Sequence, residues 1–378
     1  MKTRGTIRLA TRGSTLALRQ ADLVVEALEA RGYEVDLVTV ETTGDQIRDE
    51  LIHRLGKTGA FVRELDERVL AEEVDGAIHS MKDMPTEQPS DLVTAVVPER
   101  GRPGDVLVTP DGSTLEELPE GATVGTSSLR RRAQLLAARP DLSVEPVRGN
   151  VDTRLEKLLA STMDERLAER REAAADRRAS AGDGYKPDYS DDEEDEPLTV
   201  DEWVESLSSL ERGALERETE TNLDALVLAE AGLDRSGLAE EVDYERLPTA
   251  DFVPAPGQGA LAVTALDGEL ARDLRGALDH PRTRVETTAE RTVLATLGGG
   301  CIAPIGVYAV LQGEYVHTSV QVYDADGEAS VVASRDLPVE RYAETAREFA
   351  HSLESRGAGE LIAAAREDGD VPDEPEGK

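Results

Sequence analysis

Cysteine is nearly missing from this chain: Cys301 is the only one in 378 residues, which excludes an intrachain disulfide framework and any multi-cysteine metal site. Aromatic residues reach only 3%, too few for the interleaved stacking platforms that hold single-stranded nucleic acid. Lysine is scarce too, with Lys2, Lys57, Lys82, Lys157, Lys186 and Lys378 as the whole set. Lysine and arginine together number 42 against 78 acids, a net charge of −36. A field of that sign repels polyanions at long range, which disfavours a generic nucleic-acid binder. No run approaches the ~18 apolar residues of a membrane span, and MKTRGTIRLATRGSTLALRQ lacks the apolar core of a secretory signal. The expectation is a cytoplasmic protein with neither a membrane nor a nucleic-acid partner. His53, His79, His280, His317 and His351 are scattered without ligand spacing, so no metal is expected.

The acids are spread through segments that also carry apolar periodicity, instead of being concentrated in tails. That distribution favours a halophilic protein over one with disordered acidic ends, since molar salt screens self-repulsion within roughly 3 Å. The length suggests two to three domains.

Along the first hundred residues, short apolar runs alternate with amphipathic stretches, the pattern of a parallel sheet covered by helices. TIRLAT, VDLVTVET and DGAIHS read as strands, and Ser14 to Ala30 and FVRELDERVLAEE as helices. The third strand runs into Met-Lys-Asp-Met-Pro, so Lys82 and Asp83 lie beyond a carboxyl end, where open α/β sheets form their ligand crevice. After VPERGRPGD the alternation resumes through DVLVT, ATVGTSSLRRRAQLLAA and SVEPVRGNVDTRLEKLL. A charged segment at about 162–221 then interrupts it. Residues 182–196 within that segment hold eight acids and one lysine and read as solvated loop. Thr199 and Glu202 form a capping-box pattern ahead of Trp203, Val204 and Leu207, which predicts a helix. LDALVLAEAGLDR reads as a buried strand entering a turn, and YAETAREFAHSLESRGAGELIAAARE as one amphipathic helix.

Chemistry concentrates in two places. Arg130, Arg131, Arg132, Arg139, Arg148 and Arg154 fall within 25 residues and face only Asp141, Glu145 and Asp152. VGTSSLRRR sets small hydroxyl residues at the opening of a helix, whose free N–H groups attract anions. Arg12 and Ser14 follow the first strand in the same way. Taken singly, such arginines most often neutralise surface acids; as a cluster they suit carboxylate recognition by guanidinium forks. A lone cysteine is more often a small buried apolar residue than a nucleophile; Cys301, in LGGGCIAPIG, has neighbours ill suited to a core position, which gives the reactive-thiol reading weight without deciding it.

IRLATRGSTLALRQA, TTGDQI, GAFVRELDERVLAEEVDGAIHSMKDMPTE, VGTSSLRRRAQL, VRGNVDTRL, PAPGQGALAV and GGGCIAPIG occur in an order that resembles the porphobilinogen deaminase (hydroxymethylbilane synthase) family. The resemblance implies an α/β fold of two periplasmic-binding-protein-like lobes plus a smaller α+β C-terminal domain. It places 1–98 with 254–276 in the first lobe, 104–250 in the second with the acidic insertion 162–221, and 280–378 in the third. It also implies a transferase of tetrapyrrole (heme) biosynthesis, most simply a monomer. Such an enzyme condenses four porphobilinogen molecules, with loss of ammonia, on a dipyrromethane cofactor held covalently, here at Cys301. On this resemblance Asp83 is catalytic. Lys82, Asp83, Thr126, Ser128, Arg130 and Arg131 contact the cofactor, while Arg12, Ser14, Ser127, Arg148, Arg154 and Arg235 bind substrate carboxylates. One departure stands out: Thr58 occupies the position, three residues before Phe61, where the family commonly has a loop lysine, and Lys57 precedes it. A non-catalytic anion-binding protein of the same two-lobed type is the alternative, although it has no need of a glycine-flanked cysteine or a third domain.

Overall fold

A computed structural model describes residues 5–40, 60–180, 198–217, 222–299 and 303–368 of the chain. The first sheet has strand order β2-β1-β3-β10-β4. It comprises β1 (Thr6–Arg12), β2 (Glu34–Val40), β3 (Gly76–Ser80), β4 (Leu92–Val96) and β10 (Leu261–Leu266). β1 runs parallel to β2 and β3, while β10 is antiparallel to both β3 and β4. Helix α1 (Thr15–Glu29) covers one face because Ala21, Val24 and Leu28 recur at helical spacing and are buried against Ile7, Leu9 and Ile78. Helix α2 (Ala60–Leu70) packs Leu65 and Val69 on Ala10 and Ala77 of the other face.

The second sheet repeats the plan as β7-β6-β8-β5-β9. Its strands are β5 (Asp105–Val108), β6 (Thr123–Gly125), β7 (Ser143–Glu145), β8 (Ala225–Ala229) and β9 (Tyr244–Arg246). β6 is parallel to β7 and β8, and β5 is antiparallel to β8 and β9. β5 and β10 thus fill the same slot, each delivered by a chain crossing from the other lobe. The crossings run side by side, with Gly101 N–H donating to the Gly259 carbonyl at 3.1 Å. Gly259 has φ +82°, and a Cβ there would approach the Gly101 oxygen to 2.7 Å, so only glycine fits.

Helix α3 (Leu129–Ala138) follows β6, and α4 follows β7 as one 30-residue helix, Val151–Ser180. It runs straight through residue 162, the expected start of the insertion, because Leu155, Leu158 and Met163 anchor its first turns in the core. The expected helix after Thr199 is present as α5 (Val200–Ser206), followed by α6 (Ser209–Leu215), and both begin with complete capping boxes. Trp203, Leu207 and Ala214 close over Met163. The expected acidic loop at 182–196 lies outside the described residues. After β8 the chain forms not a turn but a short helix, α7 (Glu230–Ser236), with Leu233 buried.

The third unit is an antiparallel sheet of β11 (Ile305–Gln312), β12 (Tyr315–Tyr323) and β13 (Ser330–Pro338). α8 (Glu269–Leu278) leads from the first lobe into α9 (Pro281–Thr296), which packs Val293 against Val307 and Val320. The C-terminal amphipathic stretch is two helices, α10 (Tyr342–Glu354) and α11 (Ala358–Asp368); Gly357 at φ +97° breaks the run between them. The architecture is therefore the α/β class expected, with two sheet-containing lobes and a smaller α+β unit. No helix among the described residues is long and apolar enough to cross a membrane.

Candidate active site

Between the lobes lies a cleft of about 170 Å³, lined by Arg12, Ser14, Lys82 and Asp83 from the first lobe and by Asn150 and Arg235 from the second, with Gln258 and Gly259 at its back. On the first-lobe side, β1 ends at Arg12 and the Ser14 hydroxyl caps α1 by accepting the Ala17 N–H at 3.3 Å. β3 ends at Ser80, and a single 3-10 turn, Met81–Asp83, follows. Met81 and Met84 are buried on either side of Lys82 and Asp83 and anchor the turn, leaving Asp83 exposed to the cleft and Lys82 half-buried.

On the second-lobe side, β6 ends in Thr126, Ser127 and Ser128. The Ser128 hydroxyl caps α3 by accepting the Arg131 N–H at 3.4 Å. Ser127 donates to the Val147 carbonyl, and Thr126 Oγ1 accepts the Ser128 N–H at 3.2 Å. These hydroxyls hold the turn in shape, and none of the three residues lines the cleft. Arg154, on the first turn of α4, donates Nε to the Gly149 carbonyl at 2.8 Å. Arg235 donates to the Gly259 carbonyl at 2.7 Å and so ties α7 to the crossing.

Arg130 and Arg131 stand apart from the others. Only 3% and 6% of these residues is accessible, and both pair with Asp105 at 2.8 Å. Arg130 also donates to Gln134 Oε1 at 2.8 Å and to the Val253 carbonyl at 3.0 Å. Gln258 Nε2 donates to Asp105 at 2.8 Å, and its Oε1 accepts from Arg130 and Arg131 at 3.3 and 3.4 Å. This network belongs to the core of the second lobe. Burial alone would raise the Asp105 carboxyl, but the two guanidiniums outweigh it and hold the group well below the ordinary carboxylate range.

Burial and mutual repulsion act on the cleft cations. Burial pushes the Lys82 ammonium down; Asp83 opposes the shift, while Arg131 and Arg154 add to it. Arg154 is pushed down to about 10, first by burial and then by Arg131. Burial also lowers Arg235. A carboxylate bound beside these cations would relieve both the desolvation and the repulsion.

The structure therefore brings Arg12, Ser14, Lys82, Asp83 and Arg235 together around one cleft, with Arg131 and Arg154 within electrostatic reach of Lys82 and Arg148 half-buried just ahead of Asn150. Cys301, Lys57 and Thr58 lie outside the described residues. Asp105 and Gln258 were not singled out by residue type. The glycine pattern of PAPGQGAL was the one signal for Gln258, because a tight glycine turn lets its backbone sit between the crossings. A buried polar node also missed by sequence reasoning backs the first lobe: His79 Nε2 lies 3.0 Å from both Asp66 Oδ1 and Thr264 Oγ1, and the Thr264 hydroxyl donates to Asp66 at 2.8 Å.

Two family models match. One, described as the porphobilinogen deaminase dipyromethane cofactor binding domain, covers residues 7–168 and 210–295; the other, the porphobilinogen deaminase C-terminal domain, covers 285–353. A probable porphobilinogen deaminase of Halobacterium salinarum is 52% identical over 95% of this chain and 98% of its own length. A probable porphobilinogen deaminase of Methanococcoides burtonii is 38% identical over 94% of this chain and 96% of its own. A porphobilinogen deaminase of Desulforudis audaxviator is 40% identical over 94% and 96%. The first model skips residues 169–209, which places the segment outside the family pattern at the distal half of α4, α5 and the linking chain.

Proposed function

The chain belongs to the porphobilinogen deaminase family, and from that premise we propose that it builds its tetrapyrrole on a dipyrromethane held covalently at Cys301, with Asp83 as the catalytic carboxylate. Its activity is that of the family, a transferase reaction condensing porphobilinogen into hydroxymethylbilane. The observation that carries the site assignment is the gathering of Arg12, Lys82 and Arg235 around Asp83 in one cleft: acetate and propionate groups on each pyrrole suit such a cluster, so the residues present fit a dipyrrole. When bound, that cofactor supplies the terminal pyrrole carbon to which new rings are joined.

The chain's own residues do the rest. Arg12, Ser14, Arg235, Arg148, Arg154 and Ser127 receive substrate carboxylates from the two lobes, fixing ring orientation through charge-assisted bonds. Lys82, from the cleft wall, and Ser128, at the cap of α3, hold the cofactor, with the buried Thr126 and Arg131 supporting them from the second lobe. Arg130, enclosed by Asp105, Gln134 and Val253, acts at one remove by holding Arg131 and Gln258 in place. Asp83, at the tip of a turn pinned by two buried methionines, presents a fixed negative charge to pyrrole N–H groups and to the positive charge that develops as ammonia leaves. Ammonia departs with its electron pair, the new carbon–carbon bond forms at the vacated methylene, and the displaced ring proton passes to solvent or base in the cleft.

The same reading takes the protein as a cytoplasmic monomer that needs salt to screen its −36 charge. The test of the central assignment is an intact mass. The purified protein should exceed its sequence mass by one dipyrrole, and Cys301→Ser should lose both the added mass and the activity. A fully active protein of unmodified mass would refute the covalent primer.

A further inference from the structure

A second cavity, of about 300 Å³, lies behind the catalytic turn, in the seam between the first lobe and the third unit. Its walls are Met81, Thr86, Thr94 and Val97 on one side and α9 with Arg347 of α10 on the other. In a chain with 78 acids, no described residue lining this cavity is acidic. Its lining instead carries three arginines, Arg284, Arg291 and Arg347, and a file of threonines along α9.

These groups divide into those that build the wall and those that face the space. Arg284 is braced by Asp279 through Nε and Nη2 at 2.7 and 2.6 Å and by the Thr94 and Ala95 carbonyls. Thr287 and Thr296 return their hydroxyls to the helix backbone at 2.7 and 2.8 Å. Thr288 and Thr292, one turn apart on the same face, make no side-chain bond to a described residue, and the exposed Arg347 lies within electrostatic reach of Glu344. Between the cavity and the cleft stands Arg291, which donates to the carbonyls of Met81, Met84 and Pro85 at 3.1, 3.2 and 2.6 Å. It therefore grips the turn that carries Lys82 and Asp83.

We propose that this cavity is a binding site for a small oxyanion, held by Arg347 and the Thr288 and Thr292 hydroxyls, and seated against Arg284 and Arg291. Guanidinium and hydroxyl donors converging on a concave, acid-free wall are the donor set that phosphate or carboxylate requires. The volume exceeds what a bare halide fills. The inference is independent of the catalytic assignment, because binding can be measured without turnover.

The experiment titrates the holoprotein with inorganic phosphate and, separately, with acetate at constant ionic strength, following heat and thermal midpoint. Saturable binding of either anion in the millimolar range, weakened at least tenfold by Arg347→Glu and by Thr292→Val, supports the site, and the stronger arm tells a tetrahedral from a planar ligand. Arg12→Leu serves as the cleft control and should leave this binding intact. Binding that persists in Arg347→Glu, that disappears in Arg12→Leu, or that is absent for both anions would overturn it. Arg347 is on the surface, so its substitution leaves folding in place, and circular dichroism of each variant confirms that.

Discussion

The two lobes share strand order and strand sense down to the slot filled by the crossing strand, yet they differ in where they keep charge. In the first lobe the acid proposed as catalytic, Asp83, stands at the cleft on a short turn, and the buried polar node behind it is the His79–Asp66–Thr264 cluster. In the second lobe the acid that matters, Asp105, is buried at the start of the crossing strand and locked between two arginines. The lesson is that one topology supports two uses of a carboxylate. Exposed at a strand end it is available to reacting groups; enclosed at a strand start it fixes the cations around it.

The comparison breaks most visibly if Asp105 is removed. Asp105→Ala leaves Arg130 and Arg131 buried without their counter-charge and should cost about 3–5 kcal/mol of unfolding free energy in a denaturant titration. A loss below about 1 kcal/mol would mean the network is not a structural ion cluster. Its pH dependence sharpens the point. The folded carboxyl lies below its unfolded value, so the stabilisation is complete above the unfolded pKa of about 3.9 and is lost as pH falls through the folded one. The stability gap between the natural protein and Asp105→Asn should therefore be constant from neutrality to about pH 5 and begin to close only below about pH 4.

Next in size is Asp83→Asn, which keeps shape and hydrogen-bonding reach but removes charge. Turnover of porphobilinogen should fall on the order of a hundredfold or more. Substrate affinity, set by the arginines, should change far less, and folding stability should be unchanged because Asp83 is exposed. Near-normal turnover would take Asp83 out of the catalytic role. Smaller again is Asp66→Asn in the first-lobe node, which retains an acceptor for Thr264 and His79 and should cost about 1 kcal/mol. A penalty matching that of Asp105→Ala would erase the distinction between the lobes. The smallest effect concerns the second lobe's extra segment: replacing residues 169–209 by a short turn should leave turnover within about twofold, since surface insertions carry little closure cost. A folded deletion variant without activity would give the segment a part in the reaction.

Much of this was legible in the residues. The strands leading to Arg12, to Lys82 and Asp83, and to Thr126 each carry an apolar run closed by small or polar residues, and the caps Ser14, Ser128 and Thr199 sit where helix starts need them. What could not be read has one physical cause in each case. The partner of Arg130 and Arg131 is Asp105, which reaches them only because β5 arrives from the other lobe, and no local pattern encodes a crossing. The length of α4 was hidden because beyond Met163 it has few buried positions and so shows no apolar face. The helix α7 was masked by the continuous apolar run of β8 leading into it. Arg291 looked like any surface cation on α9, since nothing in the sequence shows that three carbonyls from the Met81–Pro85 turn lie under it.

Trp203 has a practical consequence of an optical kind. It is the only tryptophan in the chain, it is buried, and the guanidiniums of Arg166 and Arg170 lie 5.9 and 5.0 Å from its ring. Emission under selective tryptophan excitation is thus a local signal from the segment outside the family pattern and from the part of α4 it packs on. Followed beside backbone circular dichroism while salt is withdrawn, it separates the melting of that accessory layer from that of the catalytic body, with no label introduced.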